Sequence, residues 1–77
     1  MSHTKPTNPI SPKKLLHSKW TAVNPANKER HFMVVKVTYD DHKNVEQCVI
    51  EAVLTEREMD INWRDLKNAE HWQTGWQ

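Results

Sequence analysis

The chain has 77 residues, enough for one small domain, and its 36% hydrophobic content allows only a modest core. A single cysteine excludes an internal disulfide and the usual four-ligand zinc site, and a single glycine excludes a Gly-rich phosphate loop. The net charge is only +1, yet residues 1–36 carry seven basic groups and one acid, while residues 37–77 carry four basic groups and nine acids.

Residues 1–14, MSHTKPTNPISPKK, read as a flexible, disordered arm, since only Met1 and Ile10 are apolar there. Pro6, Pro9 and Pro12 recur every third residue, the period of polyproline II. PxxP followed by Lys13 and Lys14 also resembles a ligand for an aromatic groove. A further reading lays the arm across the domain's own tryptophans. Residues 15–77 then form one small β domain. LLHSKWTAV, residues 15–23, leads into a first strand, and Asn24-Pro25 favours a turn that Ala26 to Glu29 extend.

RHFMVVKVTYD, residues 30–40, is rich in β-branched and aromatic types and predicts a strand. Its wholly apolar set, Met33, Val35, Val37 and Tyr39, is expected to face the core. The polar cluster Asp40 to Asn44 predicts a hairpin, with Asn or Asp supplying any positive φ. The return strand, residues 45–57, turns Cys48, Ile50, Ala52 and Leu54 inward. A turn or bulge falls at Thr55 to Glu58. Met59, Ile61 and Trp63 then alternate with polar residues in a short third strand, which places Trp63 in the core. Asn62 is a helix N-cap candidate with Asp65 three residues on, so Arg64 to His71 is expected to form a short helix or 3₁₀ turn. Gly75 is placed to end the ordered segment in a left-handed conformation.

These elements give a mostly β fold: an antiparallel meander of three to four strands forming a small SH3-like, partly open barrel, with a short C-terminal helix. A flat sheet capped by the C-terminal segment is the alternative. The motifs NPISPKKLLHSKWTAVNP, His31-Phe32, Trp63-x-x-Leu66 and Trp72-x-x-Gly75-Trp76 together resemble a family of small tryptophan-rich bacterial proteins, a domain of unknown function. The resemblance covers nearly the whole chain. It implies an intact small bacterial protein and supplies no catalytic or binding residues.

The sequence offers little chemistry. Its five histidines have no metal-ligand spacing, and Asp40-Asp41-His42 reads as a turn before it reads as a metal site. Cys48 falls on the apolar face of its strand, where a cysteine is an inert small hydrophobe. No catalytic residue, metal or cofactor is expected. No apolar run approaches ~18 residues and no apolar leader opens the chain, so a cytoplasmic protein is expected.

The tryptophans are the features that point to binding. Trp20, Trp72 and Trp76, beside Lys13, Lys14, Lys19 and Arg30, are the candidate binding residues. Left exposed, such rings anchor protein partners. With neighbouring cations they also stack on single-stranded RNA or DNA. The plainer reading folds the tail back and lids the domain with Trp72 and Trp76. The expected function is a non-enzymatic module that docks an unidentified protein through an aromatic patch. Nucleic-acid binding through the basic N-terminal half is the alternative.

Overall fold

The computed structural model describes residues 7–77. Five strands run in chain order: β1 Lys19–Ala26, β2 Glu29–Tyr39, β3 Val45–Ala52, β4 Glu58–Ile61 and β5 Trp72–Thr74. They form one antiparallel sheet in the order β4-β3-β2-β1-β5. The meander is as expected, but the strand count is five. β5 comes back from the end of the chain to the free side of β1. The expected barrel does not close, because β4 and β5 remain the two edges of the sheet. The expected C-terminal helix is only a 3₁₀ turn, Trp63–Lys67. Asn62 does cap it, its side-chain oxygen accepting from the N–H of Arg64 at 3.1 Å, but Asn68 is already extended. No helix among the described residues is long and apolar enough to cross a membrane.

The β1–β2 turn falls at Asn27-Lys28, later than Asn24-Pro25. Both turn residues have positive φ, 55° and 62°. Positive φ at both central positions is the two-residue geometry that matches strand twist. Asn24-Pro25 falls instead in an irregular stretch of β1 between Thr21 and Ala26. At the β2–β3 hairpin, Asp40 accepts from the N–H groups of His42 and Asn44 at 2.8 and 2.9 Å. Those bonds hold its carboxyl below the usual range, led by the one from Asn44. The positive φ there belongs to Lys43, at 63°, and not to an Asn or Asp.

The expected inner face of β2 needs correction. Phe32 and Val34 are buried, whereas Met33 and Val35 are only half-buried. The cause is a bulge. Val34 pairs with Ile50 and Lys36 with Val49, so Val35 is an extra residue. An extra residue switches which side chains face the core. Past the bulge, Val37 does turn to the core. The core face is therefore built from the rungs Trp20–Phe32–Ala52, Val34–Ile50–Met59 and Val37–Cys48–Ile61. Leu15 and Leu66 close over it. The molecule is a slab of 39 × 36 × 15 Å, thin enough for one sheet and one covering layer.

Part of that layer comes from the segment expected to be an arm. Residues 1–6, with Pro6 of the polyproline pattern, lie outside the described residues. Residues 7–14 lie against the domain. Asn8 donates from its side chain to the carbonyls of Leu66 and Trp72, at 2.8 Å each. Ile10 packs on the core, and the Tyr39 hydroxyl donates to the Pro12 carbonyl at 2.7 Å.

Candidate binding face

The tail explains why two tryptophans stand so near the C-terminus. Trp72 in β5 pairs with Ala22 and lies on the core face, edge-on to Phe32 with ring centroids 5.3 Å apart. Its indole N–H donates to Asp65 Oδ2 at 3.0 Å. Gly75, at φ 73°, then turns the chain over the edge of the sheet. Trp76 lands on the opposite, outer face. Thr21, itself buried, fastens the turn: its hydroxyl donates to the Gly75 carbonyl at 2.7 Å and accepts from the Gln77 N–H at 2.9 Å. The two rings thus clasp the sheet from both sides.

Trp76 is anchored by its edge and open on its face. Its indole N–H donates to the Phe32 carbonyl at 3.0 Å, yet the residue stays 44% exposed. Lys19 Nζ lies 4.7 Å from the ring centroid, and His31 lies 6.2 Å away, its Nε2 2.8 Å from the Gln77 carbonyl. Strand register surrounds the ring. Lys19, Met33, Glu51 and Glu58 form one rung of the outer face, and Thr21 and His31 belong to the next. The Val53 N–H donates to the His31 carbonyl, which puts the exposed Val53 beside that second rung.

The other candidate residues are dispersed. Trp20 is 1% exposed, its indole N–H held by the Ser18 hydroxyl at 2.8 Å, so it is core and not binding surface. Trp72 is likewise buried. Lys13 and Lys14 are exposed on the 3₁₀ turn Pro12–Lys14, on the covering layer and away from Trp76. Arg30 is exposed next to His31. Only Lys19 and Trp76 of the original set come together. Trp63, expected in the core, is half-buried at its margin, with Arg64 and Lys67 against its ring at 5.9 and 4.8 Å. His31, Met33, Glu51 and Val53 were not expected at a site. The alternation of Lys19 and Thr21 with the core-facing Trp20 and Ala22 was the one available signal for the outer face.

A second polar group lies at the end of the core face, where a cleft of about 260 Å³ is lined in part by Glu29, Arg57, Asp65 and His71. Glu29 is buried and accepts from both Arg57 and Thr55. The Arg57 hydrogen bonds, then that of Thr55, hold its carboxyl down at about 2. His71 Nδ1 lies 3.2 Å from Asp65 Oδ1. Every one of these carboxylates already has its donors. Cys48 is buried, and burial, followed by the charge of Asp60, pushes its thiol up and away from the reactive thiolate. Among the described residues no group of His, Cys, Asp and Glu is placed to hold a metal ion.

Comparison with curated proteins and with solved structures found no match to the chain. A family model does match residues 18–77, from the residue before β1 to the C-terminus, and takes in the whole sheet and the tail clasp. The chain belongs to that family, described as tryptophan-rich protein (DUF2389).

Proposed function

We propose that the protein is a non-enzymatic binding module that docks a protein partner on the outer face of its sheet, around Trp76. One observation carries this reading: the Trp76 ring is fixed by its N–H bond to Phe32 while 44% of the residue stays exposed. A ring held in place before binding loses little freedom on docking, and Trp is a common interface anchor. Met33 and Val53 extend the apolar surface, and Lys19 and His31 rim it. The lone free cysteine fits a reducing, cytoplasmic setting.

Nucleic-acid binding is the second reading, favoured by Lys19 against the Trp76 ring. It is the weaker one. Glu51 and Glu58 lie on the same rung as Lys19 and would repel a phosphate backbone. Trp20 and Trp72 are too deeply buried to stack on bases. The test compares wild type with Trp76→Ala, each shown to be folded by circular dichroism, in capture of proteins from cell extract. Partners retained by the folded variant would overturn the reading. A parallel titration with short single-stranded RNA at low salt follows the indole N–H signals. A shift of Trp76 that disappears with salt would hand the site to nucleic acid.

A further inference from the structure

The uneven charge of the sequence takes a spatial form. β1 to β4 keep chain order across the sheet, so β1 and most of β2 come from the basic half and β3 and β4 from the acidic half, while the returning β5 beside β1, Trp72–Thr74, carries no charged residue. On the outer face, β1 and β2 present Lys19 and Lys36, while β3 and β4 present Glu51, Glu58 and Asp60. Internal pairing does not cancel this division. The Arg57–Glu29 ion pair joins the only acid of residues 1–36 to a base of the acidic half. It therefore leaves each half more strongly charged. The outer face is cationic on one side, anionic on the other, and carries Trp76 and Met33 on the cationic side.

We propose that this face pairs with the same face of a second copy of the chain. The proposal rests on the docking reading above and names its partner. Charge layout selects the symmetry. A two-fold axis lying between the sheets and parallel to the strands sets β1 and β2 of each copy over β4 and β3 of the other. Lys19 then faces Glu58 of the second copy and Met33 faces its Glu51. Trp76 meets the Glu51–Val53 stretch. An axis across the strands would put lysine on lysine. The selected arrangement keeps the two strand directions nearly aligned, as stacked sheets prefer. Each patch occurs on both copies, so the contact closes at two and does not propagate.

Size sets the strength. The four strands that overlap, β1 to β4, at ~3.3 Å per residue and ~4.8 Å apart offer ~500 Å² per copy, which is ~1,000 Å² in all and below the usual size of a stable specific interface. An interface of that size is in the range of weak, transient contacts, and salt weakens this one further.

The test is sedimentation equilibrium of the full chain at low salt, with Glu58→Lys, Lys19→Glu and the double variant. All change exposed residues, and circular dichroism checks their folding. Wild type is expected at twice the 9.1 kDa chain mass. Each single reversal should weaken the dimer at least about tenfold, because it sets like charges against each other, and the double variant should restore it. A wild-type monomer at 100 µM would overturn the proposal. So would a dimer indifferent to the single reversals, or one that the double variant fails to rescue. Trp76-dependent capture of another protein by a monomeric chain would sink the self-pairing and leave the docking reading standing.

Discussion

Trp72 and Trp76 are close in sequence but should differ sharply in what their removal costs. Trp72 is 8% exposed, so nearly all of its surface is covered. About 200 Å² at ~25 cal/mol/Å² gives roughly 5 kcal/mol, or about 4 after allowing for a compact unfolded chain. Loss of the edge contact with Phe32 and of the N–H bond to Asp65 adds to this, and the hole left under β1 cannot fully close. Trp76 has only a little over half of its surface covered, and its removal leaves no enclosed hole. The same reckoning gives about 2 kcal/mol, and about 3 with its bond to Phe32. A chain of this length has a total stability of about 4–12 kcal/mol. Trp76→Ala should therefore remain folded, while Trp72→Ala should be near or past its limit. Urea unfolding followed by far-ultraviolet circular dichroism measures both, with Trp72→Phe as a milder companion if the alanine variant does not fold. If Trp76→Ala costs as much as Trp72→Ala, the outer ring is a structural lid. The docking surface would then lose its anchor.

Three other outcomes follow from local geometry. The Glu29 carboxyl is held at about 2 in the folded chain, against an ordinary 4.5, so its contribution is complete above pH 4.5 and fades as pH falls toward 2. Glu29→Gln should be less stable than wild type at neutral pH, and the gap should narrow across that window in acid titrations; a constant gap would refute the pairing. Cys48 should resist thiol reagents at pH 8 until the sheet opens, and labelling as fast as in urea-unfolded chain would contradict its burial. Gly75→Ala should cost about 1 kcal/mol through its positive φ alone, since an added Cβ meets only the Gln77 amide at 3.7 Å. No loss of thermal stability would mean that the tail does not use this turn.

The sequence was most legible where strands are long and regular. β2, the hairpin after it and the first part of the return strand followed from composition and turn residues, but β3 stops at Ala52 and not at Arg57, and Leu54, expected inside, is exposed. It misled at the points where one residue changes the count. The Val35 bulge reversed the inner face of β2, because alternation read along one strand carries no information about its partner's register. β5 has three residues, too few for any period to show, and it exists because β1 offers it an edge. Asn62 was read correctly as a cap, but a cap marks where a helix starts, not how long it runs. The candidate site was half legible. Lys19 and Trp76 were expected at a site, but their meeting depends on the Gly75 turn and on Thr21, which no local pattern announces. Trp20 was misassigned because a tryptophan beside a lysine reads as surface, whereas the Ser18 hydroxyl allows its N–H to be buried.

One feature of the chain, its charge division, does not follow from the needs of the fold. A sheet covered on one side needs polar residues on the other, but it does not need the two signs kept apart. Interspersed signs would serve solubility equally well and would give favourable cross-strand pairs within the sheet. Here β1 and β2 keep Lys19 and Lys36, while β3 and β4 keep Glu51, Glu58 and Asp60. Neighbouring acids on β3 and β4, Glu51 beside Glu58, even repel each other across one rung. An arrangement that costs the isolated sheet a little stability becomes favourable once the face is covered by something of opposite polarity in the same layout. A second copy turned about the strand direction supplies that layout. The charge division and the open ring of Trp76 thus point to the same face.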